Sequence, residues 1–533
     1  MKKFKKCISH LIIIFSLLGL EISCSRAPQY SPGGLGFYYI DSENGDDENK
    51  GTTPEKAWKT LERVDSTVFA PGDNILFKAG TYYSGRIKPQ GSGTQNQPIV
   101  IDMYGDGAKP CVAAQGQFLE ALLLYNVEYW EISNLEITNT GKEREPDRAG
   151  VRIVAENFGT AHHIYLRNLY VHNVNGSNVK KEGGGAGILW DNRGEEVKSR
   201  FDDLLIENCH LLRTDRDGIK GRSAYWSREK WFPSLNVVIR GNLLEDIGGD
   251  GIVPLGCDGV LVEYNVLRGA HERANDYAAG IWPWSCDNAT FQFNEVSGVK
   301  GTKDGQGFDS DYNCRNTLFQ YNYSHDNEGG FMLICSDGGA KKEVNVGCIG
   351  TVIRYNISQN DNHRSFHIGG PVKDTKIYNN VIYIGRELDV HIFLNSNWSG
   401  WANGTSVYNN IFYVEGTGRY SYGISRNEDG TYNTESGFGG SSNNIFDYNV
   451  FYGNHIDKPQ DEHAQSNDPM LINPGSGKTG RNTLDGYKLL EGSPCIDSGM
   501  EVPDNGGKDF WGNFVPYNDI TDRGAYEYSR DTI

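Results

Sequence analysis

Short segments of alternating apolar and polar residues recur along the chain, with the form apolar-x-apolar-x-x-Asn-apolar, as in "DLLIENCHL", "GVLVEYNVL" and "TVIRYNISQ". The alternation has the period of two that is typical of a strand, and Gly, Asp and Asn interrupt it at each end. Eleven such segments follow one another at intervals of 23 to 40 residues. This recurrence predicts a repeat architecture built from strands.

One asparagine occupies the same place in every segment, and we interpret this column as structural. Its members are Asn134, Asn168, Asn208, Asn242, Asn265, Asn294, Asn322, Asn356, Asn380, Asn410 and Asn449. The variable interval favours a parallel β-helix, whose coils tolerate loops of any length, over a propeller, whose blades keep a period of about 40 residues. Asparagine suits a left-handed backbone turn, and its amide can hydrogen-bond to the asparagine of the next coil.

The two ends of the repeat depart from this pattern. "TTPEKAWKTLERV" predicts a helix that Thr53 caps and in which Pro54 takes the first position, and such a helix would cover the open end of the coils. The closing segment, residues 461–533, is rich in turns. In it Asp497, Asp509 and Asp522 are interpreted as turn and cap residues. The β-helix itself is expected over residues 37–460.

The first 23 residues have the features of a bacterial export signal. "MKKFKK" supplies positive charge, "CISHLIIIFSLLGL" is too short an apolar run to span a membrane, and "EISC" resembles a lipobox. We therefore expect lipidation at Cys24, a flexible tether over residues 24–36, and a location in the cell envelope with membrane contact through the lipid alone. Ordinary secretion with cleavage nearby is the alternative.

Charge and cysteine content narrow the possible partners. The formal charge of −18 argues against nucleic acid and against an anionic membrane surface as partners. Of the ten cysteines, all but Cys7 and Cys24 lie beyond the signal, and none forms a C-x-x-C pair, so a zinc site is not expected. We expect a monomer that acts on a polysaccharide or an oligosaccharide.

Both ends of the chain also carry a family resemblance. "YYIDSENGDDENKGTTPEKAWKTLERV", "PGDNILFKAGTYY" and the closing "GSPCIDSG" and "DRGAYEY" resemble the pectin-lyase-like β-helix proteins of exported bacterial carbohydrate systems. The resemblance implies an all-β fold, a single-stranded right-handed parallel β-helix with a short N-terminal capping helix. These motifs indicate the fold of the protein more than the reaction that it catalyses.

A repeated Gly-apolar step aligns six further strands, "DGIKGRS", "DGIVPLG", "AGIWPWS", "QGFDSDY", "GGFMLIC" and "RSFHIGG". If the residue after Gly points inward, alternation places two columns on the outer face. One is Lys220, Val253, Trp282, Asp309, Met332 and His367; the other is Arg222, Leu255, Trp284, Asp311, Ile334 and Gly369.

Three kinds of side chain in these columns suggest carbohydrate binding. Trp282 and Trp284 would stack on sugar rings, or else pack under the loop "GAHERANDYAAG". Lys220 and Arg222 are substrate contacts or a surface pair, and His367 is a further substrate contact.

Asp309 and Asp311 are the first candidates for chemistry. One pleat separates them, so their Cα atoms should lie about 6.6 Å apart, within the range in which paired carboxyls hydrolyse glycosides. Their mutual repulsion would raise one pKa and so favour a general acid. Asp304 in "KDGQGF" is a third acid, although it also suits a turn.

"AGIWPWSCDNATFQFNEVSG" and "GFDSDYNCRNTLFQYNYSHDN" resemble the β-helix glycosidases, notably family 120 β-xylosidases and more loosely family 141. The resemblance implies a nucleophile at Asp311, with a Glu acid in the same column one coil later, where this chain has Ile334. The acid must then come from elsewhere: Asp309, Asp304, Glu328 or Glu272. Asp311 ranks first and Asp309 second.

Two other functions remain open. A polysaccharide lyase would use Lys220, Arg222 or His367 as base, or the nearer Lys300 or Lys303, and could hold Ca²⁺ at Asp304, Asp309 and Asp311. A non-catalytic glycan-binding lipoprotein needs no acid at all. His271 and Glu272 could handle protons in the site, or belong to a loop salt network with Arg273.

Overall fold

The computed structural model describes residues 29–30, 35–337 and 347–529. Their strands pair in parallel from one coil to the next and form a single-stranded right-handed parallel β-helix, so the predicted fold class is confirmed. The export signal and Cys24 lie outside the described residues. Among the helices of the described segments, none is long and apolar enough to cross a bilayer.

Each coil contributes strands to three stacked series. The first series comprises Phe37–Ile40, Asn74–Lys78, Ile99–Tyr104, Trp130–Ser133, Thr160–Arg167, Arg200–Glu207, Ser234–Arg240, Cys257–Asp258, Leu261–Glu263, Thr290–Gln292, Leu318–Gln320, Val352–Arg354, Lys376–Tyr378, Ser406–Tyr408 and Ile445–Asp447. The second comprises Tyr82–Ser84, Cys111–Ala113, Glu136–Asn139, Tyr170–Val174, His210–Thr214, Leu243–Glu245, Val266–Ala270, Glu295–Val299, Tyr323–His325, Ile357–Gln359, Val381–Ile384, Ile411–Arg426 and Val450–Ile456.

The third series carries the outer face on which the sequence placed the candidate chemistry. It comprises Glu120–Tyr125, Ala149–Glu156, Ala186–Arg193, Asp217–Ser223, Ile252–Val253, Gln306–Ser310, Gly330–Cys335, Arg364–Gly369 and Asp389–Ser396. Between them, Ile281 forms an isolated β-bridge with Ile252 on one side and with Phe308 on the other. The long strand Ile411–Arg426 continues this series and turns back through an antiparallel partner, Tyr432–Ser436, which we call the hairpin. A separate short pair joins Gln29–Tyr30 to Thr67–Val68.

A ladder of asparagine amides links the coils from Asn242 to Asn449. At each step the amide nitrogen donates to the Oδ1 of the next asparagine, for example 3.0 Å from Asn294 to Asn322 and 3.0 Å from Asn322 to Asn356. That Oδ1 also accepts the backbone N–H of the preceding asparagine. Because every member is buried, the ladder satisfies polar groups that water cannot reach.

The predicted left-handed backbone was correct for only the first three asparagines, Asn134, Asn168 and Asn208. In later coils the residue just before the asparagine has positive φ, and it is Gly241, Tyr264, Phe293, Tyr321, Tyr355, Asn379, Asn409 or Tyr448. Several of these are aromatic and stack on one another, as Phe293 does on Tyr321 at 5.0 Å. The stacking offsets the strain that a bulky residue incurs in this conformation.

The predicted N-terminal helix is divided in two. Pro54–Lys56 form a 3₁₀ turn without a side-chain cap from Thr53, and the α-helix spans Leu61–Asp65 with Thr60 as its cap. Between them Trp58 is extended, pairs with Ile40 and is buried, so tertiary pairing interrupts the helical pattern. The helix still packs on the core of the coils, through Leu61 and Val64.

The closing segment lies over the outer face of the second series. It contains a 3₁₀ helix, Arg481–Tyr487, and a separate apolar cluster in which Tyr487 packs with Tyr323 and Tyr355. Asp509 accepts the backbone N–H groups of Trp511 and Asn513, as turn residues do. Another short 3₁₀ turn, Lys180–Glu182, lies in the loop between the second-series strand Tyr170–Val174 and the third-series strand Ala186–Arg193.

Replacing Asn322 with Ala should destabilise the fold, because the change removes the buried acceptor of the Asn294 backbone and side-chain amides and the donor to the Phe291 carbonyl. Each buried polar group left unpaired costs about 1–3 kcal/mol. Urea unfolding should show a clearly lower midpoint. Asn454→Ala, at an exposed asparagine, should leave the midpoint within experimental error. Equal midpoints for both variants would show that the ladder contributes no stability.

Candidate active site

One cavity of about 570 Å³ on the outer face of the third series brings acidic, basic and aromatic side chains together. Its lining residues are Lys180, Tyr277, Asp304, Asp309, Asp311, Tyr312, Leu333, Cys335, Asp337, Asn397, Trp398, Ser399, Gly423, Ile424, Ser425, Arg426 and Tyr432. All three aspartates of "KDGQGFDSD" therefore meet at one place, as the strand alternation predicted for Asp309 and Asp311.

Strand register places Asp309 beside Leu333 and His367 in the next two coils. The predicted neighbour, Met332, points into the core instead, opposite Phe308. Likewise Ile334 is a core residue, and Cys335, not Ile334, follows Asp311 in its column. The alignment on "GGF" was one residue out, because Gly330 pairs with Gln306. A slip of one residue exchanges the two faces of a strand.

Asp309 and Asp311 occupy the floor of the cavity at different depths. Asp309 is 3% exposed, whereas Asp311 is partly exposed. The backbone N–H of Tyr312 donates to Oδ1 of Asp311 at 2.6 Å, and the Cys335 thiol donates to the same atom at 3.1 Å. Burial raises the pKa of Asp311 to about 6. Burial and the Asp311 charge raise the pKa of Asp309 well above its usual range.

Asp304 lies in a loop beside the floor of the cavity, and its own backbone φ is positive, at 64°. Its main chain is held by Arg364, a fully buried residue whose Nη2 donates to the carbonyls of Thr302 at 2.7 Å and Asp304 at 2.9 Å. The Asp304 side chain is 19% exposed and lies 3.9 Å from Nη2 of Arg426. Burial raises its pKa, although the nearby cations oppose the shift.

The hairpin and Trp398 build the opposite wall. Trp398 Nε1 donates to the Tyr432 hydroxyl at 2.9 Å, which holds the two rings together. The Arg426 guanidinium lies 4.5 Å from the centre of the Tyr277 ring and 5.5 Å from that of Tyr432. The strand pattern did not predict this wall. Its signal was the Asp-Gly pair at residues 429–430, which is typical of a hairpin turn, within the long interval of 39 residues between two of the ladder asparagines.

Neither predicted tryptophan platform lines the cavity. Trp282 is 7% exposed, packs with Val253 and Ala279, and donates to Asp250 at 3.0 Å. Trp284 is half-buried and stacks on Trp226, with 5.3 Å between the ring centres. Trp282 thus packs against Ala279 of the loop "GAHERANDYAAG", as the loop-packing alternative predicted, whereas Trp284 packs against a different segment.

The basic residues that we predicted as substrate contacts bind other side chains of the protein. Lys220 pairs with Asp217, and Arg222 pairs with Asp147. His367 has the predicted column position but is completely buried, because Trp398 and the hairpin cover it. Its Nε2 contacts Ser396 Oγ at 2.9 Å. None of the three residues lines the cavity, and the complete burial of His367 contradicts the substrate contact that we expected of it.

The alternative acids lie away from the cavity. Glu328 accepts the Gly301 N–H at 2.7 Å, pairs with Lys300 and lines a separate groove. Glu272 is exposed outside the cavity, whereas His271 is buried close to Gly301. Arg273 does form a loop salt network, but with Asp215 and Asp246. Lys303 Nζ donates to the backbone carbonyl of Asn275 at 3.4 Å.

The predicted calcium site does not suit the side chains present. Asp309, Asp311 and Cys335 offer ligand atoms within 4.8 Å of one another, and Asp304 is not among them. Calcium prefers a shell of six to eight oxygens, whereas this set contains a thiol, which suits softer metal ions. The ammonium of Lys180 at the rim further disfavours a divalent cation.

The chain is similar to lacto-N-biosidases. That of Bifidobacterium longum subsp. longum is 30% identical over an alignment that covers 90% of this chain and 36% of that protein. The native crystal structure of GH136 lacto-N-biosidase from Eubacterium ramulus has a TM-score of 0.58 at 32% identity, covering 66% of this chain and 64% of that one. Its selenomethionine derivative gives 0.59 at 30% identity, covering 70% and 67%.

The chain is a homologue of these lacto-N-biosidases. It spans about a third of the length of the curated relative and just under two thirds of the native crystal structure. No family model matches it. XylC in complex with xylose shares the fold at 12% identity, with a TM-score of 0.50 over 92% of this chain and 98% of that one. The resemblance to β-helix glycoside hydrolases that the sequence carries is thus confirmed.

Replacing Asp309 with Asn should stabilise this homologue at neutral pH. The pKa of Asp309 is higher in the folded than in the unfolded protein. Such a carboxyl lowers the free energy of unfolding as pH rises from the unfolded pKa to the folded one, by at most about 1.4 kcal/mol per pH unit. Asparagine copies the neutral acid and removes this loss. Urea midpoints at pH 4 and pH 8 should differ less in Asp309→Asn than in the parent. A variant that is destabilised equally at both values would contradict the raised pKa.

Proposed function

We propose that this protein is a glycoside hydrolase that cleaves oligosaccharides with Asp311 and Asp304. The observation that carries the proposal is their partial exposure in one cavity that faces the Trp398 and Tyr432 rings, while Asp309 lies buried beneath. A carboxyl that exchanges a proton or forms a bond with substrate must reach the substrate atom. Exposure therefore favours Asp304 over Asp309 as the second acid.

Asp311 acts as the carboxylate, either attacking the anomeric carbon or activating the water that does. Its Oδ1 accepts two hydrogen bonds, from Tyr312 N–H and the Cys335 thiol, and donors of this kind stabilise the ionised form. Asp309 beneath it keeps its proton, so Asp311 does not face a second fixed charge at that position.

Asp304 acts as the general acid that protonates the glycosidic oxygen. Burial raises its pKa and so keeps a proton available. Arg364 holds the backbone of Asp304 without reaching into the cavity, and it is therefore a positioning residue. Accurate placement of an acid matters because an error of about 1 Å can cost about a hundredfold in rate.

The aromatic wall binds the sugar. Trp398 and Tyr432 offer ring faces that suit the CH face of a pyranose, and the exposed Ile424 adds apolar surface. Asn397 and Ser425 border the same cavity and can hydrogen-bond to hydroxyl groups. Homology to lacto-N-biosidases makes lacto-N-biosyl glycosides the first substrates to assay.

We also propose that the mature protein is anchored to the cell envelope through Cys24. The sequence motif "EISC" after the short apolar run supports this proposal. Substitution of Cys24 by Ala, with detergent partitioning as the readout, tests it independently of activity.

The activity is tested with a panel of aryl glycosides and oligosaccharides that includes an aryl lacto-N-bioside. Asp311→Asn and Asp304→Asn should each lower kcat/KM by at least about a hundredfold, because each removes a group that exchanges protons or bonds with the substrate. Glu328→Gln, at an acid outside the cavity, should retain parental activity. Circular dichroism checks that every variant is folded.

Product mass separates the competing reactions. Hydrolysis adds one water to the products, whereas a lyase leaves an unsaturated sugar that absorbs ultraviolet light. Glycan binding without any product would favour the non-catalytic alternative. Full activity of Asp311→Asn would refute the assigned chemistry.

The pH profile should show an acidic limb near the pKa of about 6 for Asp311. The ionised form of Asp311 is the reactive one, so kcat/KM falls as pH decreases through that value. Cys335→Ala removes the thiol hydrogen bond that stabilises the carboxylate and should move this limb to higher pH. A profile flat between pH 4 and pH 7 would contradict this role for Asp311.

A further inference from the structure

A second depression of about 510 Å³ adjoins the catalytic cavity. Its lining residues are Asn178, Val179, Lys180, Lys181, Asn275, Asp276 and Tyr277. Lys180 and Tyr277 also line the catalytic cavity, so these two side chains form the boundary between the two spaces. An oligosaccharide can therefore extend from one into the other across them.

The two loops that form the depression are held together by hydrogen bonds. Asn178 Nδ2 donates to the carbonyl of Arg273 at 2.7 Å, and the Lys180 N–H donates to Asp276 Oδ2 at 2.8 Å. Arg216, which is fully buried, donates to the carbonyl of Tyr277 at 2.8 Å. Because these loops are already ordered, ligand binding costs little conformational entropy.

Lys180 is fixed by a buried charge. Its Nζ lies 3.4 Å from Asp250, which is completely buried and also pairs with Arg216 at 3.1 Å. Burial alone would lower the pKa of Lys180, but the Asp250 carboxylate raises it, so the ammonium keeps its charge. Lys180 can therefore donate hydrogen bonds to sugar hydroxyls at the boundary between the two spaces.

The position of Asp304 gives the direction of the substrate. Ala278, the residue after Tyr277, forms a bridge with Asp304, so Asp304 is the acid beside the depression. Asp309 lies farther along, in the strand Gln306–Ser310, and Asp311 directly follows that strand. The general acid of a glycosidase stands on the side of the leaving group, because it protonates the glycosidic oxygen. The leaving group must then extend past Asp304 towards Tyr277.

We infer that this depression is the subsite for the leaving-group sugars of a neutral oligosaccharide. Asn178, Lys181 and Asn275 supply donors and acceptors for hydroxyl groups. Tyr277 is 42% exposed and carries Arg426 against its ring, and its exposed surface can contact a pyranose ring. The direction, though not the existence of the depression, rests on the proposed function of Asp304.

The test compares two substrates that share a glycone and differ in leaving group, a nitrophenol or a neutral disaccharide. The double variant Lys181→Ala/Asn275→Ala should lower kcat/KM for the oligosaccharide about tenfold, mainly through KM, because two hydrogen bonds are lost. The aryl glycoside does not reach these residues, so its kcat/KM should change less than twofold. Lys142→Ala, an exposed lysine elsewhere, is the matched control.

Direct binding separates failure of the subsite from failure of the proposed hydrolysis. Free lactose and free cellobiose, titrated into the parent and followed by NMR or tryptophan fluorescence, should bind weakly, and the double variant should lose this binding. Binding that the double variant retains, or equal losses of kcat/KM on both substrates, would overturn the inference. A parent that binds a disaccharide but hydrolyses neither substrate would contradict the proposed function and leave the subsite standing.

Discussion

Parallel pairing of one coil on the next is the interaction on which the rest of the structure depends. It repeats each strand position at a spacing of about 4.8 Å and therefore turns residues that are distant in sequence into continuous columns. The buried asparagine ladder from Asn242 to Asn449 strengthens the same contact at one turn, because each amide bonds to both the side chain and the backbone of its neighbours. Any displacement of a coil would leave several of these buried groups unpaired at once.

The rigid coils hold three carboxyls together in the cavity, where they would otherwise move apart or be hydrated. Asp309 and Asp311 are fixed on one face by strand alternation, while Asp304 is held by the buried guanidinium of Arg364. The backbone sets these positions, so the side chains cannot move apart. Burial therefore raises the pKa values of the three carboxyls. Proton-bearing and ionised carboxyls can thus coexist near neutral pH, as acid–base chemistry requires.

Two parts of the site come from outside the regular coils. The hairpin brings Arg426 and Tyr432 over the floor, and the loop containing Lys180 approaches from an earlier coil. Arg216 and Asp250 support that loop from below, completely buried. The regular coils thus position the carboxyls of the cavity, and insertions between strands build its walls.

The repeated alternation and the asparagine column were sufficient to predict the β-helix, since both arise from local periodicity and from the parallel stacking that it imposes. The same alternation placed Asp309 and Asp311 together on the outer face. It could not place Met332 and Ile334 correctly, because Phe331 and Met332 are both apolar and the pattern fits either register. Nor could it show that Trp282 is covered or that Trp398 and Tyr432 face the acids. Those features depend on where long loops and a hairpin fold back on the coils, and periodicity carries no information about contacts between segments that lie so far apart along the chain.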